Sequence, residues 1–254
     1  MTITFLGTGT SQGVPVIACN CPVCSSLDEK DKRLRSSILI EYDSLNIVID
    51  TGPDFRCQML RENVQHLDAV LFTHEHKDHI AGLDDIRAFN YKQQSSLPIY
   101  ATNRVIQALK REFHYVFSDQ SYPGIPQIHL HEISNAPFKI ASKLEIIPIE
   151  VMHFKLPVSA YRIGDFTYIT DAKTVSDVEF EKIKRTKVLV INALQREKHI
   201  SHMTLNEAID FSERVGAEQT YFTHIGHRLG TYTDVSKELP SKIKLAYDGL
   251  KVHL

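Results

Sequence analysis

A layered α/β fold is what this sequence predicts, and three observations carry the prediction. Short apolar runs alternate with segments of helical spacing along both halves of the chain. Polar side chains able to bind a metal stand at the carboxyl ends of those runs, the rim where layered α/β folds gather their ligands. The composition allows the burial such a fold needs, with 43% of the 254 residues hydrophobic and 24% charged. The formal net charge of −2 gives no bulk attraction to nucleic acid or to an anionic membrane. No repeat, low-complexity tract or long linker divides the chain, so a single domain over residues 1–254 is expected.

The elements follow in order. Residues 3–5, 37–42 and 45–50 read as strands, with a turn at Asp43-Ser44 between the last two. A short helix over 55–62 precedes a strand at 70–72; another strand at 98–101 leads into a helix over 104–111. Residues 113–126 are rich in Tyr, Ser, Pro and Gly and read as a long ordered loop. Such a loop is either a plain connector or a lid that offers Tyr115 or Tyr122 to a sugar or base. Strands are then predicted at 144–151, 158–163, 166–170, 188–191 and 220–223, with helices over 175–184 and 205–215. Thr204 ahead of the second helix, with Glu207 three residues on, forms a capping-box pattern.

No basic, apolar leader opens the sequence and no apolar run is long enough to span a bilayer. The expected compartment is the cytoplasm, with no membrane partner. Three of the four cysteines cluster as Cys19-Asn20-Cys21-Pro22-Val23-Cys24, a spacing that suits metal rather than a disulfide framework. Cys57 is expected to pack in its helix as a small hydrophobe.

The densest chemistry is His74-Glu75-His76-Lys77-Asp78-His79, four metal-capable side chains in six residues directly after an apolar strand. Asp50, Asp171, Asn192 and His224 also end apolar strands, and His153 follows another. Two ions about 4 Å apart need roughly seven ligands, and His74, His76, Asp78, His79, His153, Asp171 and His224 make up that number. Asp50 is better placed to accept a hydrogen bond from a metal-bound histidine than to bind metal itself. Asp54 and Arg56 either close the same network or form a surface ion pair. His66, His114, His129, His131 and His253 lack metal spacing and read as surface or packing residues.

These motifs resemble the metallo-β-lactamase superfamily over nearly the whole chain. The resemblance implies an αββα four-layer sandwich, two mixed β-sheets face to face with helices outside. It implies that His74, His76 and His153 hold one ion, Asp78, His79 and His224 the other, and that Asp171 bridges them. His76 stands where the superfamily's di-iron redox members carry a carboxylate, and Asp171 is absent from its true β-lactamases. Both features favour hydrolysis of a phosphodiester or thioester.

The stretches Gly7-Thr8-Gly9-Thr10-Ser11-Gln12-Gly13-Val14-Pro15 and Ile49-Asp50-Thr51-Gly52-Pro53-Asp54-Phe55-Arg56, with the cysteine cluster, resemble the subgroup that contains phosphoribosyl 1,2-cyclic phosphate phosphodiesterase. That likeness implies a structural Zn²⁺ on Cys19, Cys21, Cys24 and His227, which stands three residues after His224. It also implies a general-acid histidine at His202, with His199 as the competing candidate, and homodimers, which the subgroup often forms. The function implied is hydrolysis of a small sugar or nucleotide phosphodiester, cyclic forms included. A water bridging two Mn²⁺ or Zn²⁺ ions would be the nucleophile, with Asp78 and Asp171 orienting it. The alternatives are a tRNA 3′-processing type of endonuclease and a non-catalytic metal-binding accessory protein of a biosynthetic pathway. The first normally carries a basic arm, and the longest basic patch here, 182–187, is short, which makes nucleic acid the weaker partner.

Overall fold

The computed structural model describes residues 1–118 and 124–254. One sheet carries β1 (Thr2–Gly7), β2 (Ser37–Tyr42), β3 (Leu45–Ile49), β4 (Ala69–Leu71), β5 (Leu97–Ala101) and β6 (Ile128–Glu132) in sequence order. The second holds β7 (Phe138–Ile140), β8 (Leu144–His153), β9 (Leu156–Ile163), β10 (Phe166–Tyr168), β11 (Thr174–Val175), β12 (Val188–Asn192), β13 (Gln219–Thr223) and β14 (Ile243–Leu245). Its main path runs β11-β8-β9-β10-β12-β13-β14, with β7 beside β8. The chain then returns to the first sheet, where β15 (Lys251–His253) pairs with β1. Both sheets are mixed: hairpins β2–β3 and β8–β9 are antiparallel, while β3–β6 and β10-β12-β13-β14 are parallel.

Side-chain alternation explains the layers. In β3, Ile47 and Ile49 point into a core shared with Ile146, Tyr161, Phe166 and Val190 of the other sheet. Val48 between them points the opposite way. There it meets Phe55 and Met59 of α1 (Phe55–Arg61), and the same cluster takes in Phe89 and Val105 from two further helices. On the far side, Val151, Ile191 and Phe222 bury against Phe180, Ala208, Phe211 and Val235. These lie on α5 (Asp177–Ile183), α6 (Leu205–Val215) and α7 (Tyr232–Glu238). The remaining helices are α2 (Lys77–Ile80), α3 (Arg87–Gln93) and α4 (Asn103–Glu112). The order is helix, sheet, sheet, helix, as the resemblance implied. With both faces covered, the central strands read as continuous apolar runs.

Local rules set several boundaries. Asp43 and Ser44 both adopt left-handed φ (44° and 68°), the conformation that a two-residue hairpin requires. Thr204 caps α6 through a complete capping box with Glu207, and Gly216 ends it in the left-handed region. The helix expected over 175–184 starts later, because Ser176 caps it and Thr174–Val175 pair with β8. Cys57 departs from expectation: it is exposed on α1, whose buried face is Phe55, Gln58 and Met59 at helical spacing. Among the described residues, no helix is long and apolar enough to cross a membrane.

Candidate metal centre

Five strand ends converge on one rim. Asp50 follows β3, Thr73-His74 follows β4, His153 ends β8, Asp171 follows β10 and His224 follows β13. Asp50, Asp171 and His224 have φ of 66°, 56° and 53°, so each chain turns sharply at the end of its strand. Left-handed backbone is uncommon outside glycine, and such strain clusters at functional sites. α2 adds Asp78 and His79 to the same rim.

His74 Nε2 lies 2.9 Å from His76 Nδ1, and the His76 ring centroid is 5.2 Å from that of His153. His79 Nε2 lies 3.1 Å from Asp78 Oδ2 and 3.2 Å from Asp171 Oδ2, and His224 Nδ1 is 3.3 Å from the same Asp171 oxygen. Asp171 thus adjoins His79 and His224, and its carboxylate also falls within ligand reach of His74 and, in a further cluster, of His153 and His202. Ligands on a tetrahedral ion with bonds near 2.1 Å sit roughly 3.4 Å apart, close to these spacings. His79 Nε2 is buried and makes no hydrogen bond despite its two carboxylate neighbours. Nε2 and the two carboxylates converge without a hydrogen bond, an arrangement that suits a cation in place of the ring proton.

The remaining hydrogen bonds aim these rings. Asp50, fully buried, accepts from Thr73 N (2.8 Å), Thr73 Oγ1 (2.7 Å) and His79 Nδ1 (2.7 Å). It therefore fills the orienting role expected of it and leaves Nε2 of His79 facing the rim. His153 Nδ1 donates to Ser201 O at 2.9 Å, which frees its Nε2. Thr170 Oγ1 donates to Asp171 Oδ2 at 2.6 Å, and Thr10 Oγ1 lies 3.2 Å from His224 Nε2. Asn192 binds no site residue; its amide brackets the backbone of Ala172, next to Asp171. Thr10, Thr73, Thr170 and Ser201 were not singled out from sequence. A signal was available: threonine directly precedes His74, Asp171 and His224.

Electrostatics matches the geometry. Burial pushes His74 well below its usual pKa, with the charge of His79 adding to the effect, and burial also lowers His76 and His224. Burial opposes a charge on His79, yet Asp78, Asp171 and Asp50 outweigh it and hold that ring well above its ordinary value. Asp171 is likewise disfavoured by burial but held well below the carboxylate range by His224 and His79. Neutral imidazoles at His74, His76 and His224 beside the ionised Asp171 are the forms that bind metal, whereas a cation would displace the proton held on His79.

His202 is buried, with its ring 4.5 Å from His153 and 5.0 Å from His224, and its Nδ1 lies 3.7 Å from Asp171 Oδ1. Burial first, then the neighbouring His224, His153 and His199, depress it to about 3. His199 is half-buried, 5.1 Å from the His202 ring, and accepts from Ser201 N. Asp54 does not join the Asp50 network: it accepts from Arg35 N and pairs with the Arg35 guanidinium at 3.1 Å, while Arg56 lies exposed on α1. Tyr115 gives its hydroxyl to Asp84, and Tyr122 lies outside the described residues. A cleft of about 420 Å³ opens beside His76 and His153, lined also by Arg104, Phe154, Lys155 and Ile200.

A second cluster lies at the N-terminal loop. His227 Nδ1 is 3.3 Å from Cys19 Sγ and 3.5 Å from both Cys21 Sγ and Cys24 Sγ. Zinc with Zn–S near 2.3 Å and Zn–N near 2.05 Å spaces sulfur and nitrogen about 3.6 Å apart, so the set fits a closed tetrahedral ion. The Cys24 backbone N–H lowers Cys21 to about 6, whereas burial raises Cys24 to about 11. The loop is tied to the rim through Thr10 N, which donates to Ile225 O, and Ile225 N, which donates to Thr8 O. At the end of β1, Gly7 lets the backbone of Arg35 pack close, since a Cβ there would lie 1.9 Å from Arg35 O.

The sequence model of the Beta-lactamase superfamily domain matches residues 45–225, well over half of the chain. The chain belongs to the β-lactamase superfamily. Within it the chain groups with the PhnP-like hydrolases: it is 38% identical to a structure described as a new diphosphatase from the PhnP family, at a TM-score of 0.93 over 99% of this chain and 96% of that one. A Porphyromonas gingivalis protein named octanoyltransferase is 40% identical over 99% of this chain, but only 51% of that protein is covered. The chain thus spans about half the length of the curated relatives it matches most extensively. Zn²⁺-bound PqqB from Methylobacterium extorquens shares the fold at a TM-score of 0.82 and 19% identity, with full coverage of both chains. The superfamily fold implies divalent metal ions, and the donor sets above fit them.

Proposed function

We propose that this protein is a metal-dependent phosphodiesterase acting on a small sugar or nucleotide phosphodiester, cyclic forms included. The observation that carries the reading is Asp171, buried within ligand distance of His79 and His224 and grouped also with His74 and with His153, while His76 and His153 line an open cleft. His74, His76 and His153 would hold one divalent ion, Asp78, His79 and His224 a second, and Asp171 both. Cys19, Cys21, Cys24 and His227 would hold a structural zinc. When bound, the paired ions supply Lewis-acid chemistry, lowering the pKa of a coordinated water and drawing charge from the phosphoryl oxygens.

The chain's own contribution is orientation and proton handling. Asp50, Thr73 and the Ser201 carbonyl fix the ring positions before substrate arrives, so little reorganisation remains. His202 is the proposed proton donor to the leaving oxygen. Burial keeps it neutral in the free protein. An anionic phosphodiester in the cleft would raise its affinity for a proton and so charge it when the leaving group needs one. The relative described as a diphosphatase supports phosphoryl chemistry. Lysines 182, 184 and 187 pair with Glu179, Glu181 and Asp165, which reduces their use as a nucleic-acid grip.

The test is the initial rate with Mn²⁺ on 5-phosphoribosyl 1,2-cyclic phosphate beside bis(4-nitrophenyl) phosphate, for the wild type, His202→Ala and His199→Ala. The proposal expects turnover, faster on the cyclic substrate, and a loss of about 100-fold or more for His202→Ala alone on the ester with the poorer leaving group. Metal-loaded protein inert on both would favour the accessory-protein reading. An equal loss for His199→Ala would move the proton donor there.

A further inference from the structure

β9 carries no candidate ligand, yet three of the segments that do are fixed to it. Its antiparallel partner β8 ends at His153, which pairs with Leu156. Its other neighbour, β10, stays beside it only from Ile163 to Tyr161, then leaves to supply Asp171. Past that point the edge of β9 needs another partner, and the exit of β4 supplies it. Phe72 N still donates to Tyr100 O in the first sheet, at 3.0 Å. The Phe72 carbonyl instead accepts from Tyr161 Oη of β9 at 2.6 Å, and the Thr73 carbonyl accepts from Ser159 N at 2.9 Å. The chain therefore passes from one sheet to the other within two residues, immediately before His74, His76, Asp78 and His79.

Of these two cross-sheet bonds, one joins backbone to backbone, and the other depends on a single side-chain hydroxyl. Tyr161 and Phe72 are both fully buried, so a carbonyl stripped of that hydroxyl would find no water in its place. The neighbouring strand provides an internal comparison. Tyr168 of β10 is the cross-strand partner of Tyr161 and equally buried, and its hydroxyl makes no hydrogen bond among the described residues. Two phenols thus sit side by side in one core, and only one of them holds the ligand-bearing segment.

We infer that Tyr161 is a positioning residue of the metal centre: its hydroxyl sets the spacing between the ligands that follow β4 and those that end β8 and β10. His74, His76, Asp78 and His79 belong to the first group, His153 and Asp171 to the second. Asp50 fixes Thr73 within the first sheet, and Tyr161 fixes the same turn to the second. The inference rests on the reading of these side chains as holders of two divalent ions.

Metal binding tests it without requiring turnover. The full chain, as wild type, Tyr161→Phe and Tyr168→Phe, is freed of metal and titrated with Mn²⁺ against a chromophoric chelator. The loaded proteins are then compared by electron paramagnetic resonance, in which the coupling between two Mn²⁺ ions changes with their separation. Tyr161→Phe should bind Mn²⁺ at least about tenfold more weakly, as loss of a group that orients metal ligands does, and should give an altered coupled signal. Tyr168→Phe should match the wild type in both. Thermal unfolding of the metal-free proteins establishes that each is folded. A lower melting temperature for Tyr161→Phe with wild-type affinity and signal would reduce the bond to packing and overturn the inference, as would equal effects of the two variants. A wild type with no coupled signal would count against the two-ion reading, and the affinities of the two variants would still decide the role of Tyr161.

Discussion

Replacing Asp50 with asparagine isolates the orienting role of that carboxylate. Asparagine matches aspartate in shape and tolerates the left-handed φ of 66° at this position, so no cavity or new backbone strain is expected. What changes is the donor inventory. Asp50 Oδ1 accepts from Thr73 N, and Oδ2 accepts from both Thr73 Oγ1 and His79 Nδ1. With the amide nitrogen at the Oδ1 position, it opposes the Thr73 backbone N–H and leaves a buried donor unpaired. With the amide at the Oδ2 position, His79 must shift its proton to Nε2, the nitrogen that faces Asp78 and Asp171. Either choice costs about 1–3 kcal/mol, and the second also blocks a ligand nitrogen. Loss of such an orienting partner lowers metal affinity about 10–100-fold. In thermal unfolding of chelator-treated protein, the stability cost corresponds to a fall of roughly 2–12 °C for a chain of this size. Competition titration against a chromophoric chelator reads the affinity. An Asp50→Asn protein with unchanged melting and unchanged metal affinity would refute the orienting role.

Three further outcomes follow from other parts of the molecule. In metal-free protein the Cys24 backbone N–H holds Cys21 low, at about 6, and favours its thiolate, whereas burial pushes Cys24 up to about 11 and favours its thiol. Iodoacetamide should therefore label Cys21 well before Cys24 by peptide mass spectrometry, and zinc should protect both while leaving the exposed Cys57 reactive. Thr204→Ala removes the capping box of α6 and should cost about 1 kcal/mol, a drop of roughly 2–4 °C, with metal content unaltered. Gly52→Ala would put a Cβ 2.2 Å from the carbonyl oxygen of Asp78, so a loss of about 3 kcal/mol should accompany weaker metal binding; an unshifted melt would mean that the backbone beneath α2 yields easily.

How much of this was legible in the sequence differs by element. The central strands read clearly because both their faces are buried, as Ile47, Val48 and Ile49 show by feeding two different cores. β6 did not, because its alternation of Ile128 and Leu130 with His129 and His131 reads as a polar stretch. α3 emerges from a 3-10 turn with no side-chain cap and buries little beyond Phe89 and Asn90, so its signal is weak. α7 and β14 lie after the last motif, where no chemistry drew the reading onward. At the site, the residues able to face metal stood out because histidine and aspartate are costly at buried strand ends unless something answers them. The threonines that aim them did not, since a hydroxyl near a strand end has many ordinary uses. Cys57 misled because burial of a lone cysteine was judged from residue type, and only the helix face decides it.

We propose that Asp171 and the side chains flanking it hold a pair of ions that serve hydrolysis. The most direct measurement adds Mn²⁺ stepwise to chelator-treated protein and follows the initial rate on bis(4-nitrophenyl) phosphate. The expected rate rises and levels off near about two equivalents per chain, with Asp171→Asn flat throughout. Saturation of the metal with no turnover, or equal turnover by Asp171→Asn, would contradict it.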